Sequence, residues 1–312
     1  MPDCGQRAAA VPAHGMTSPF PRDGWLLLFP PLFWAINTVV GRALAGHFPP
    51  VALSLGRWAL AFLIFLPFAW KPFRQHLPAL RSYWRAILFL SLLGVGLYTS
   101  LLYLALITSS PVNVLLIGAC APSFVLLARA MIERTLPSRR ALLAAALSVL
   151  GVLLVSSRGD LSQLFGLRFT QGDLVMIVAT LVWVAYTLVL QSGRPPVPVA
   201  PLVLTQFGAG ALFLLPCALL EWLVFAPVME FDGKVWLSLL YVAIFPSILA
   251  YLCWDRGVAA AGAEIATVLA NLAPVIAAVL AWAVLGEAIG WHHLLAAVLI
   301  FTAIRLSTHK PA

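Results

Sequence analysis

Charge is what this chain has least of. Only 10% of its 312 residues are Asp, Glu, Lys or Arg, where a soluble domain carries about 25%. With 62% hydrophobic residues and a mean hydropathy of +0.99, water is excluded as its main solvent. Catalytic patterns are missing as well. There is no H-E-x-x-H, no phosphate-binding glycine loop, no G-x-S-x-G elbow and no pair of carboxylates at catalytic spacing. His292 and His293 are adjacent and cannot share one helical face. An enzyme is disfavoured, and no metal or cofactor is called for. The four cysteines, Cys4, Cys120, Cys217 and Cys253, lack metal or redox spacing, and the three within apolar stretches read as small apolar fillers. Residues 1–24 lack the basic-then-apolar order of a signal peptide. They read as a disordered cytoplasmic tail, with Met1 or Met16 as the start.

What is present is apolar length. A hydrocarbon core of roughly 30 Å needs about 20 mainly apolar residues in a helix. Ten stretches qualify: 25–43, 51–70, 84–105, 109–130, 140–157, 173–191, 199–220, 236–256, 263–285 and 291–307. The expected fold is an all-α integral membrane protein of ten transmembrane helices. With the N-terminus inside, 14 of the 19 Lys and Arg fall on the inner side and four, Arg42, Arg158, Arg168 and Lys234, on the outer, leaving Arg57 within a span. That bias places both termini in the cytoplasm. The net charge of +8 then faces anionic lipid headgroups, not nucleic acid.

The halves repeat. At an offset of 152 residues Ala121-Pro122 matches Ala273-Pro274, and Leu142-Leu143-Ala144-Ala145 matches Leu294-Leu295-Ala296-Ala297. A looser pair joins Trp34 and Thr38 to Trp183 and Thr187. Residues 25–157 and 173–307 therefore read as two five-helix repeats. Five is odd, so the second enters the membrane inverted, the layout of secondary transporters. Pro122 and Pro274 each remove a backbone donor, kinking helices that either pack or line a cavity, with gating as the functional role. Gly94, Gly96, Gly208 and Gly210 allow close helix approach.

Polar side chains inside spans form stripes: Trp34, Asn37 and Thr38; Tyr98, Thr99 and Tyr103; Ser110 and Asn113; Trp183, Tyr186 and Thr187; Ser247, Tyr251 and Asp255; Glu264, Thr267 and Asn271. Each taken singly could be an interhelical hydrogen bond. Together they suit a cavity for a small organic solute, lined by Trp34, Asn37, Tyr98, Asn113, Trp183, Tyr186, Tyr251 and Asn271. Arg57 either pairs structurally or snorkels to the outer headgroups, or else holds an anionic group such as a carboxylate. Asp255 and Glu264 are candidates for proton coupling.

Trp34-Ala35-Ile36-Asn37, Pro50 followed by Arg57, Gly172-Asp173 leading to Trp183, the paired Ala-Pro and Leu285-Gly286-Glu287 together resemble the drug/metabolite transporter superfamily, specifically its EamA-type ten-helix members. The first copy departs from the pattern. Glu133 lies eleven residues beyond its proline and Glu287 thirteen beyond, so no role passes to Glu133. The resemblance implies a bacterial inner-membrane transporter of small metabolites, often outward: amino acids, their derivatives or toxic compounds. Alternatives are a drug-efflux permease, a non-transporting scaffold and a membrane-embedded enzyme. The expected partners are a small-molecule substrate and the lipid bilayer, with a homodimer left open.

Overall fold

In the computed structural model the described residues are 23–137, 139–157, 159, 170–193, 195–227, 229–261, 269–270 and 272–308. Among them the fold is helical, without a strand. Most of the expected tail, together with Glu264, Thr267 and Asn271, lies outside the described residues; Asp255 falls on a helix, its side chain undescribed.

Among the described residues seven helices are long and apolar enough to cross a membrane: α1 (Gly24–Ala43), α2 (Pro50–Ser82), α3 (Trp84–Ala105), α4 (Pro111–Ile132), α6 (Gln171–Gly193, apolar over Gln171–Leu190), α7 (Val199–Phe225) and α8 (Gly233–Trp254, helical to Ala261). Three shorter apolar helices accompany them: α5 (Arg139–Ser156), α9 (Leu272–Leu285) and α10 (Trp291–Thr308). The chain is a multi-pass membrane protein.

Local chemistry sets several boundaries. Pro50 and Pro111 open α2 and α4 where their missing N–H is an orphan in any case. Ser110 caps α4 by accepting from the Asn113 N–H at 3.1 Å, and Asp232 caps α8 through Val235 at 2.9 Å. Within α4 the helix breaks at Ala119–Cys120, just before Pro122. That proline cannot donate to the carbonyl of Gly118. Pro274 stands in the first described turn of α9. Two helices carry π turns, Ser91–Leu97 in α3 and Ile244–Leu249 in α8. The second contains Pro246, whose missing donor a wider turn accommodates.

The main helix pairs are α2 with α7, α5 with α10, α1 with α8 and α9, α6 with α3 and α4, α2 with α8, and α3 with α7. Glycine makes several of these close. A Cβ on Gly94 would sit 2.7 Å from the Tyr186 ring, and one on Gly208 2.9 Å from Phe62. At Gly172 a Cβ would run into the carbonyl oxygen of Ala105, so only glycine lets the start of α6 rest on the α3–α4 corner.

Candidate functional site

The centre of the bundle is built on Arg57, a charged side chain only 4% exposed. It lies two turns into α2, and its guanidinium turns inward. Nε donates to Ser247 Oγ at 2.7 Å, one terminal nitrogen to Asn37 Oδ1 at 3.2 Å and Tyr103 OH at 3.1 Å, and the other to the Pro246 carbonyl at 3.3 Å. Tyr103 in turn donates to Asn37 Oδ1 at 2.7 Å. The guanidinium carbon stands 4.5 Å from the centroid of the Trp58 ring, a cation–π distance. Snorkelling is not what this side chain does. Among the described residues every hydrogen-bond partner of Arg57 is neutral, and four bonds leave one of its five N–H groups without an acceptor.

Aromatic rings surround this node. Tyr98 packs on Trp183 with centroids 4.7 Å apart, and Trp183 stacks on Tyr186 at 4.9 Å. On the other flank Trp58 meets Phe207 at 4.8 Å, and Phe207 meets Tyr251 at 6.0 Å. Trp34 and Trp254 lie 5.6 Å apart. Trp34, Tyr98, Trp183 and Tyr251 are half-buried, while Asn37 and Tyr186 are buried. Apolar rings around a few convergent polar groups are the lining composition that small-molecule sites share.

Asn113, expected in this lining, belongs instead to a second polar cluster at the end of the bundle where α1 finishes. There its amide donates to Asp173 Oδ1 at 3.5 Å and its carbonyl faces His293 Nε2 at 3.1 Å. The same end carries Ser109 on Asp173, an Arg42–Glu287 pair at 3.4 Å, bonds from Arg42 to the carbonyls of Leu106 and Ile107, and Glu221 accepting from the N–H groups of Val51 and Ala52. Sequence reasoning did not commit to Tyr103, Ser247, Asp173 or His293. Ser247 and Tyr103 stood in the polar stripes, and Asp173 stood in the Gly-Asp pair, so the signal was present at three of the four.

Two grooves open at the opposite end, one beside Trp70, Lys71, Arg74 and Gln75, the other beside Arg140, Thr302, Arg305 and Leu306. Neither includes a residue of the aromatic centre, and their basic rims suit lipid headgroups. Among the described residues no three His, Cys, Asp or Glu side chains converge as a metal site.

The EamA-like transporter family matches residues 24–157 and again 170–308. An uncharacterized transporter of Archaeoglobus fulgidus is 27% identical over 286 residues, covering 91% of this chain and 96% of its own. The uncharacterized transporter YyaM of Bacillus subtilis is 25% identical over 278 residues, covering 88% and 89%. A solved crystal structure superposes with a TM-score of 0.61 at 20% identity, over 91% of this chain and 96% of that one, and shares the fold. The chain belongs to the EamA-like transporter family.

Proposed function

We propose that this chain exports small organic solutes that bear a carboxylate, amino acids or their derivatives, by alternating access between two inverted five-helix halves, α1–α5 and α6–α10. In this reading ten helices span a bacterial inner membrane with both termini in the cytoplasm, and the end bearing Asp173 faces outward.

Arg57 carries the proposal. A guanidinium held deep in an apolar bundle is expensive, and such residues mark solute pathways. Here no described carboxylate compensates it, while neutral acceptors from α8 and from α1 and α3 do. A carboxylate brings opposite charge and two oxygens that accept a pair of parallel bonds from a guanidinium fork, which no single hydroxyl or carbonyl oxygen can do. A solute carboxylate would take the spare N–H and compete with Ser247 and Pro246, loosening α2 from the π turn of α8. The surrounding rings would receive the solute's apolar part.

Three features support the inverted halves. Exchanging each helix with the one five places along maps α1–α8 onto α6–α3, α1–α9 onto α6–α4 and α2–α8 onto α7–α3, while α2–α7 and α5–α10 map onto themselves. The π turns recur in the third helix of each half, at Ser91–Leu97 and Ile244–Leu249. At the spacing that joins Trp34 to Trp183, Arg57 answers to Gln206, also buried. The described polar bonds that join the halves at a bundle end gather where Asp173 and Glu287 stand, which is the arrangement of a transporter closed at that end.

Purified protein in liposomes should speed equilibration of labelled amino acids and their N-acyl derivatives, and Trp183→Ala should slow it without unfolding the protein. Flux equal to that of empty liposomes across the panel would remove the transport reading and leave a scaffold.

A further inference from the structure

The cluster at the closed end holds a group that the central site does not use. Asp173 stands in the first turn of α6 and is fully buried. Its Oδ1 accepts from Ser109 Oγ at 2.5 Å and from the Asn113 amide at 3.5 Å. Its Oδ2 is also buried and, among the described residues, meets no hydrogen-bond partner. A bare, water-excluded carboxylate oxygen is costly while the group is charged and much less so once it is neutral.

The rest of the cluster fixes how the carboxylate is approached. The Gly290 N–H donates to His293 Nδ1 at 3.1 Å, so a neutral His293 carries its proton on Nε2. That Nε2–H donates to Asn113 Oδ1 at 3.1 Å and thereby turns the Asn113 NH2 toward Asp173. Ser109 and Asn113 belong to the α3–α4 corner, Asp173 to α6 and His293 to α10. The chain of bonds therefore ties the two proposed halves together.

We propose that Asp173 is a proton-binding site, at which a proton entering from this end adds to Oδ2, neutralises the carboxylate and frees the α3–α4 corner from α6. No covalent bond other than the new O–H forms. The bonds from Ser109 and Asn113 lose their anionic acceptor and weaken accordingly. A proton fits better than a hard metal ion, which gathers six or more oxygens, because a single unpartnered oxygen is on offer. Among the described residues, the groups facing Asp173 are uncharged on the α3–α4 corner. On α10 they are His293 and, against its ring at 4.1 Å, His292. Arg42 reaches the same corner only through the carbonyls of Leu106 and Ile107, with its charge paired to Glu287.

The proton site stands on geometry alone, and only its coupling to solute movement rests on the transport reading. The test is therefore solute-free: infrared difference spectra of the full chain in lipid nanodiscs, recorded as pH is lowered. The wild type should gain the carbonyl stretch of a protonated, desolvated carboxylic acid. Asp173→Asn should lose that band, and Glu287→Gln should keep it. Ser109→Ala, which removes a donor to the charged form, should bring the band in at higher pH. A band unchanged in Asp173→Asn, or one whose onset does not move in Ser109→Ala, would overturn the proposal. A failed flux assay would not touch it.

Discussion

Arg57 and Ser247 are 190 positions apart in sequence and 2.7 Å apart in space, the Nε–H of one donating to the hydroxyl of the other. The bond crosses from α2 to the π turn of α8. A five-fold donor fork suits a carboxylate in a way that an ammonium does not. Arg57→Met and Arg57→Lys should therefore lower the apparent affinity for carboxylate solutes by about 10- to 100-fold, the size of one lost hydrogen bond to a charged group. Neither should unfold the protein. Tyr103 still donates to Asn37 at 2.7 Å and Ser247 to the Val242 carbonyl at 2.7 Å, and Arg57→Met removes the desolvation cost of a buried cation. Concentration-dependent uptake together with thermal melting of both variants checks this.

Glu221 of α7 supplies the N-terminal cap that Pro49 cannot give to α2. Its two oxygens accept from Val51 N–H at 3.1 Å and Ala52 N–H at 2.9 Å, while Pro49 makes no side-chain cap bond. Glu221→Ala should lower stability by about 1 kcal/mol and speed hydrogen exchange at 51–54 specifically. Both effects follow from leaving two orphan donors at a helix start that meets a neighbouring helix.

The Arg42–Glu287 pair has a pH signature. Burial pushes the Glu287 carboxyl above its ordinary value, and the Arg42 guanidinium opposes this without cancelling it. At 3.4 Å the ion pair is thus too weak to outweigh desolvation. A carboxyl whose folded pKa is raised binds its proton more tightly in the folded state. Its stabilising effect is present in acid and is lost as pH rises from the ordinary carboxylate range through the raised value. Melting temperature should fall over that window in the wild type and fall less in Glu287→Gln. Arg42→Gln should move the fall to higher pH.

The helices were readable because lipid imposes a length and an apolar composition, and the ends expected for α1, α3 and α10 lie within a residue of those found. Hydropathy reports the thickness of hydrocarbon, however, not the length of a helix. The span expected at 51–70 continues as helix to Ser82, through Pro67, Pro72 and Pro78. The π turns were invisible to a fixed 3.6-residue period, although Pro246 inside an apolar run marked the second. Asn113, in a polar stripe with Ser110, reads from sequence as cavity lining. Its place three residues after the cap Ser110 puts it at a helix end, beside Asp173. The bonds from Arg57 to Tyr103 and Ser247 join residues 46 and 190 positions apart, and no local pattern encodes such pairs.

Alternating access requires the Arg57 centre to open to one side of the membrane at a time. In a background with Cys4, Cys120, Cys217 and Cys253 replaced, a single cysteine at Tyr98 can be probed with a membrane-impermeant thiol reagent from each side of sealed vesicles. An added cysteine pair, Arg42→Cys and Glu287→Cys, can be cross-linked to hold the Asp173 end shut. Labelling of the Tyr98 position should occur from both sides before cross-linking, and afterwards only from the side away from Asp173. Labelling from neither side, or equal labelling from both with the cross-link in place, would contradict a centre that opens to one side at a time.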